Sequence, residues 1–316
     1  MGTMLTAPAR RQDLLDRLRE KTLRVAVLLG GVSSEREVSL RSGKAVADAL
    51  ETAGFPVTRV DVQDEALTGL APEAIDAAFL ALHGRYGEDG GVQAALEARG
   101  VVYTGSGVEA SHLAMDKVLA KERFRAAGVP TADWQVVTSA TRTFGVILPA
   151  VVKPATEGSS VGVTVVREAR QLVAAVRTAL AYGGRALLER FVKGRELTVG
   201  ILGGRRLPVI EMRPKREFFD YEAKYQDDRT EYIVDPPLTP GERRAVQEAA
   251  WAAHETLGCR GMSRVDVILG EDGPQVLEVN TIPGLTERSL LPKAARAAGI
   301  DFPALCAEIL RLAISA

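Results

Sequence analysis

Residues 263–280, SRVDVILGEDGPQVLEVN, constrain this chain more than any other stretch. Two runs of alternating apolar and polar residues flank the turn cluster Gly270-Glu271-Asp272-Gly273-Pro274, the pattern of a β-hairpin. With the hairpin centred on Asp272, Asp266 stands opposite Glu278 and Arg264 opposite Asn280. Side chains two apart on a strand share a face, so all four project from one side of the sheet. Facing carboxylates repel and destabilise a bare sheet. A hard cation between them offsets that repulsion. Magnesium takes one or two carboxylates together with substrate phosphates, and an Asn carbonyl suits it as an oxygen ligand. Arg264 beside such an ion would face an anionic substrate or a developing oxyanion. Taken alone, Asp266 and Glu278 fit a hairpin with one solvated polar face equally well. The continuation NTIPGLTERSL favours the metal, because the Pro283-Gly284 loop and a helix start at Ser289-Leu290 offer backbone N–H groups to an anion. Metal-assisted phosphate chemistry is the expected class.

The first third alternates strand and helix signals. LRVAVLLGG (23–31) reads as a buried strand, and SSEREVSLRSGKAVADALETAG as a helix with a Ser34/Glu37 capping box and Gly54 as its stop. FPVTRVDV, IDAAFLALHG and VVYTG continue the strands, with ALEARG a helix between the last two. That rhythm predicts a small open parallel sheet, Rossmann-like, with its ligand edge at the strand C-termini. Residues 9–20 form an amphipathic lead-in helix, and 113–127 one helix closed by Gly128-Val129-Pro130. The middle, about 130–208, is expected to be an α+β unit with strands near 149–154, 161–166, 186–191 and 196–202 and one helix. An irregular polar segment (213–232), a helix (240–257), the hairpin and two helices (288–298 and 302–315) complete the chain.

Partners are bounded by charge. Among 316 residues, 40 Lys and Arg oppose 41 Asp and Glu, with both signs interspersed. That balance offers neither a nucleic-acid track nor a polybasic membrane patch. Cys259 and Cys306 lack metal-ligand spacing, and so few thiols suit a reducing compartment. No apolar run is long enough to cross a bilayer, and the basic start lacks a following apolar stretch. A cytoplasmic protein is expected.

The stretch VVKPATEGSSVGV (151–163) poses a question. A Walker-type loop runs glycines first and then Lys-Ser/Thr into a helix. Here Lys153 precedes the Gly158-Ser159-Ser160 turn, and β-branched residues follow. By itself this is a plain hairpin turn as readily as a nucleotide site.

These segments resemble the ATP-grasp superfamily and, within it, the D-alanine–D-alanine ligase family. The motifs are LLGGVSSEREVSLRSG (28–43), LHGRYGEDG (82–90), MDK (115–117), VKPATEGSSVGV, LLERFVKGRELTV (187–199), FDYEAKY (219–225), GMSRVDVIL (261–269) and LEVNTIPGLTERSLLP (277–292), in the family's order. The resemblance implies an α/β domain over 23–116 behind an extension (1–22). A two-part ATP-grasp fold of α+β type then covers 117–208 and 209–316, with 213–232 as a lid. The implied activity joins two D-alanine molecules with ATP as co-substrate, for peptidoglycan precursors, in a homodimer.

Carried over residue by residue, Lys117 and Lys153 grip ATP phosphates while the Glu157–Gly162 loop, with Gly158 and Ser160, closes over them. A mobile clamp of this kind needs backbone donors on a glycine-serine turn rather than a fixed helix dipole. Glu189, Phe191, Val192 and Glu196 correspond to the adenosine pocket, Glu196 at the ribose, and Lys224 to a further nucleotide contact. Asp266, Glu278 and Asn280 match the ligands of two magnesium or manganese ions, with Glu278 bridging. Arg264 and the Gly284 backbone match oxyanion stabilisers. Glu35, assisted by His83, matches the acceptor of the first D-alanine's ammonium, with Ser159 and Tyr225 as its hydrogen-bonded partners. Ser289 and Leu290 match the cradle for the second D-alanine's carboxylate. The sequence departs from the pattern at Met262-Ser263, Ile282 and Arg288. A D-alanine–D-lactate ligase and a regulatory protein with a dead site are the competing readings. Tyr225 argues for an amine acceptor, and no metal ligand or phosphate lysine is missing.

Overall fold

The computed structural model describes residues 7–140, 145, 147–213 and 230–315. A lead-in helix α1 (Ala7–Arg19) precedes β1 (Val25–Gly30), α2 (Arg36–Thr52), β2 (Val57–Val62), β3 (Ala77–Leu80), α3 (Gly91–Glu97) and β4 (Val102–Tyr103). The four strands pair in parallel in the order β2-β1-β3-β4. β1 is buried along its whole length, which is why it reads as an unbroken apolar run. Val25 and Val27 pack with Val46, Leu50 and Phe79, while Ala26 and Leu28 meet Leu80, Val92 and Leu96 on the other face.

Gly43 lets α2 lie close on this strand. A Cβ there would fall 2.2 Å from Leu29 Cβ. Overpacking of this kind costs roughly 1–3 kcal/mol, so Gly43→Ala is expected to lose that much in urea unfolding. Unchanged stability would contradict the close approach.

Two helix expectations need correction. α2 starts at Arg36, with Glu35 as its N-cap and no side-chain cap, so Ser34 and Glu37 form no capping box. Ser33 acts instead: its Oγ accepts the Glu35 N–H (3.1 Å) and donates to the His83 carbonyl (2.6 Å). The helix expected over 113–127 is two, α4 (Val108–Met115) and α5 (Lys117–Ala127). Asp116 makes the break by accepting the Val118 and Leu119 N–H groups at 3.0 and 3.2 Å. Lys117 therefore sits at the very start of α5, and its own N–H donates to the Ala155 carbonyl (2.9 Å) beside β6 (Ala150–Pro154).

β6 belongs to an antiparallel sheet ordered β5-β8-β6-β7, with β5 (Trp134–Val137), β7 (Thr164–Val166) and β8 (Ala186–Arg190). Helix α6 (Ala169–Leu180) covers one face, with Leu172, Val176 and Ala179 against Val152 and Leu188. Next come β9 (Gly194–Leu202), β10 (Arg205–Arg206), β11 (Ile210–Arg213), β12 (Glu231–Val234), α7 (Pro240–Thr256), β13 (Met262–Gly270) and β14 (Gly273–Asn280). Helices α8 (Leu290–Ala297) and α9 (Phe302–Ser315) close the chain. The sequence reading grouped 196–202 with the preceding strands. β9 instead lies between β11 and β13, in a sheet ordered β12-β11-β9-β13-β14 with β10 on β9. β11 follows close behind, but its partner on the other side, β13, pairs Met262 with Leu202 from far along the chain, so no local signal marks the switch. Leu305 and Ile309 of α9 and Leu14 of α1 share a core with Val46 and Leu50, which ties the last helices to the first sheet.

The hairpin carries one surprise. Gly270 pairs with Gly273 around a two-residue turn, so the turn is centred half a residue before Asp272. A bulge after Asp266 inserts Leu277 and restores the expected pairs, Asp266 with Glu278 and Arg264 with Asn280.

Candidate active site

The four hairpin residues do share a face. Arg264 grips Asp266 with two parallel bonds, Nε to Oδ1 at 2.9 Å and a terminal nitrogen to Oδ2 at 2.8 Å. Thr198 of β9 donates to Asp266 Oδ1 at 2.7 Å, and Asn280 Nδ2 lies 3.4 Å from Oδ2. Asp266 is buried and Glu278 half-buried. Lys117 reaches this face from α5, its Nζ 3.4 Å from Glu278 Oε2, and donates to the Glu157 carbonyl at 2.7 Å. One ammonium thus joins the glycine-serine loop to the hairpin.

That loop also meets the first domain. Ser159 Oγ donates to Glu35 Oε1, and a Cβ on Gly158 would lie 3.5 Å from Glu35 Oε2. Ser159 and Ser160 hold positive φ angles of 51° and 59°, a left-handed backbone uncommon outside glycine. Glu35, freed from capping, supplies its carboxylate to the site.

Lys153 lies at a second cluster. Its Nζ is 2.9 Å from Glu189 Oε2, and the other carboxylate oxygen is 3.2 Å from Lys121 Nζ, outside hydrogen-bond geometry. Burial raises the Glu189 carboxyl, but the charges of Lys153 and Lys121 outweigh it and hold the group below its ordinary value. Phe191 sits under the Arg167 guanidinium, 5.9 Å from ring centroid to Cζ. Val192 approaches Gly270, and Glu196 lies on β9 opposite Ile268 and Met212. Ser289 is the N-cap of α8, its Oγ accepting the Thr286 N–H at 3.1 Å, and a Cβ on Gly284 would touch that oxygen at 2.9 Å. Leu290 packs with Met212 and Tyr232. Lys224 and Tyr225 lie outside the described residues.

His83 is buried, with Nε2 2.9 Å from Ser42 Oγ, and burial pushes its ring down to about 4. His254, 2.7 Å from Ser263 Oγ, is pushed by burial to about 4 as well. Both rings are therefore neutral when folded, whereas an unfolded histidine titrates near 6.5. As pH falls from 6.5 towards 4 the unfolded chain binds the extra protons, so stability falls, by on the order of 1–2 kcal/mol per histidine at pH 5. Urea unfolding at pH 7 and pH 5 measures this, and equal stability at the two values would contradict it.

Three groups near the site were missed in the sequence. Thr198 orients Asp266, and Lys121 is buried against Glu189. Glu88 lines a small cavity with Lys117, Gly158, Glu278 and Asn280, and its Oε2 accepts the Gly84 N–H at 2.6 Å. Burial and the Glu35 charge push its carboxyl up to about 8. Glu88 stands inside the LHGRYGEDG motif, so its motif membership was the available signal.

Comparison with known proteins gives the family. The D-ala D-ala ligase C-terminus family matches residues 124–311, and the D-ala D-ala ligase N-terminus family matches 63–106. The chain belongs to the D-alanine–D-alanine ligase family. The D-alanine–D-alanine ligase of Anaeromyxobacter sp. (strain K) is 50% identical over 296 residues, 91% of this chain and 96% of that one. That of Geotalea uraniireducens (strain Rf4) is 47% identical over 298 residues, 93% and 96% of the two chains. Among solved structures, D-alanine–D-alanine ligase from Bacillus anthracis superposes with a TM-score of 0.84 at 37% identity, covering 93% of this chain and 98% of that one. The same ligase complexed with ATP gives 0.83 at 34% identity, with the same coverage. The C-terminus match spans both antiparallel sheets.

Proposed function

We propose that the protein joins two D-alanine molecules to D-alanyl-D-alanine, converting ATP to ADP and phosphate through an acyl phosphate. The observation that carries this reading is Lys117, which contacts both the glycine-serine loop and the hairpin carboxylate Glu278. A phosphate held at that junction would meet cationic and backbone donors from two elements. The first D-alanine's carboxylate attacks the γ-phosphate, and the second D-alanine's amine then displaces phosphate from the acyl carbon. A free carboxylate is a poor acyl donor, so phosphorylation is what makes the amide bond accessible.

Each side chain has a part. Lys117 and Lys153 neutralise phosphate charge, and Ser160 with the backbone of Glu157 and Gly158 covers it. Glu196 takes the ribose, and the backbone around Glu189, Phe191 and Val192 the adenine. Glu35, oriented by Ser159, holds the first ammonium, with buried neutral His83 shaping the same wall. Arg264 and the Gly284 N–H stabilise the tetrahedral oxyanion, and Ser289 and Leu290 receive the second carboxylate. The 213–232 segment, with Lys224 and Tyr225, serves as the lid that keeps water from the acyl phosphate.

Asp266, Glu278 and Asn280 carry side-chain oxygens of the kind a hard cation takes, with the two carboxylates paired across the ladder; Arg264 holds both oxygens of Asp266, and Asn280 turns its Nδ2 to Oδ2 at 3.4 Å. They would hold magnesium or manganese, which when bound neutralises charge on the transferring phosphoryl group. Among the described residues no helix is long and apolar enough to cross a membrane. The reading is of a homodimer, as the family resemblance implies, in the reducing cytoplasm that the two cysteines suit. Phosphate release with ATP and D-alanine, set against ATP alone, tests the function. Release that needs D-alanine is expected; release indifferent to it would overturn the reading.

A further inference from the structure

Three charged side chains are shut in between α5, β6 and β8. Lys121 is 1% exposed, Glu189 3% and Lys153 8%. The single carboxylate serves two ammoniums, Lys153 at 2.9 Å and Lys121 at 3.2 Å. Lys121 is held from the other side as well. Its Nζ donates to Thr131 Oγ1 (2.6 Å) and to the Ala132 carbonyl (3.1 Å) and lies 5.4 Å from the Trp134 ring centroid. Thr131 in turn donates to the Val276 carbonyl at 2.8 Å, which fixes this anchor to the hairpin. Lys121 is thus a stationary cation, whereas Lys153 is paired with Glu189.

We propose that Lys121 is a positioning residue for nucleotide binding: it stays as the counter-ion of Glu189 and so leaves Lys153 able to turn to the phosphates. The inference rests on the reading of Lys153 as a phosphate ligand. A buried carboxylate without a cation is strongly unfavourable. Were Glu189 to depend on Lys153 alone, the phosphates would have to compete with it for that ammonium. With Lys121 fixed at the far oxygen, Lys153 can leave without stranding a charge. Burial, ahead of the neighbouring Lys153 charge, pushes the Lys121 amine down to about 8, and Glu189 pulls it back towards the charged form.

Calorimetric binding of ATP with magnesium, without D-alanine, tests the idea on the full chain. Lys121→Met is expected to weaken ATP by about tenfold or more, the scale of one charge-assisted contact, while KM for D-alanine stays unchanged. Removing the carboxylate as well cancels the competition, so Lys121→Met/Glu189→Gln should match Glu189→Gln within about twofold, the mark of a fully coupled pair. Lys121→Arg, which keeps the charge, should bind ATP more tightly than Lys121→Met. ATP affinity unchanged in Lys121→Met, or a double variant weaker than Glu189→Gln, would overturn the proposal. If the single variant does not fold, the two Glu189→Gln proteins alone decide it in the same way. Lys153→Ala separates the two layers. Lost ATP affinity there with normal affinity in Lys121→Met sinks only the inference, and normal affinity in Lys153→Ala sinks the phosphate assignment beneath it.

Discussion

Glu278→Gln lowers turnover by at least about 10³-fold, a barrier increase of about 4 kcal/mol, while the protein stays folded. The substitution keeps shape and removes one charge from a half-buried side chain at the end of β14. In the ladder Glu278 faces Asp266, an arrangement of like charges that a sheet alone disfavours. Were the pair only structural, with Arg264 already on Asp266 and Lys117 on Glu278, loss of one charge would leave turnover intact and change stability alone. Were it a cation site, the protein would gain nothing it can use and would lose a charged oxygen donor where phosphoryl charge must be neutralised. Lys117, 3.4 Å from Glu278 Oε2, would keep its bond to the Glu157 carbonyl, so the loop stays docked. Thermal unfolding and a magnesium titration of activity separate the cases. Near-normal activity at ordinary magnesium would make the metal assignment wrong.

Arg264→Lys is expected to cost about 10²–10³-fold in kcat, the usual loss for one oxyanion donor, although the charge is retained. The guanidinium commits Nε and one terminal nitrogen to the two oxygens of Asp266, so its plane is set before substrate arrives. A lysine offers a point charge on a flexible stem and cannot reproduce that fork. Thr198 would still hold Asp266 Oδ1, so Asp266 should remain in place. The expected pattern is a fall in kcat larger than any rise in the KM for ATP. A change confined to the KM for ATP would place Arg264 at the nucleotide instead.

The hairpin face was legible because strand alternation and a turn cluster are local signals, and arithmetic carried the pairing to Asp266–Glu278. It succeeded partly by cancellation: the turn is centred earlier than Asp272, and the bulge at Leu277 shifts the register back. The parallel sheet was legible for a related reason, since burial on both faces leaves continuous apolar strands such as β1. The break at Asp116 was not, because apolar residues continue through α4 and α5 and only one capping carboxylate marks the join. Nor was the membership of β9, whose partner β13 is distant in sequence. Lys121 was not singled out in the sequence. Its spacing from Lys117 and Phe124, four and three residues along the buried stripe of α5, was the usable clue. Glu35 stands at a helix start, where an acid is ordinary; its partnership with Ser159 was legible only through the family resemblance, and in the fold Ser159 donates to it.

Oxygen tracing tests the central claim most directly. D-Alanine labelled with heavy oxygen in its carboxylate is incubated with the enzyme, ATP and magnesium, and the released phosphate is weighed by mass spectrometry. An acyl phosphate must hand one carboxylate oxygen to the phosphate when the second amine displaces it. The account predicts one labelled oxygen in phosphate for each dipeptide formed. Dipeptide accompanied by unlabelled phosphate would contradict it.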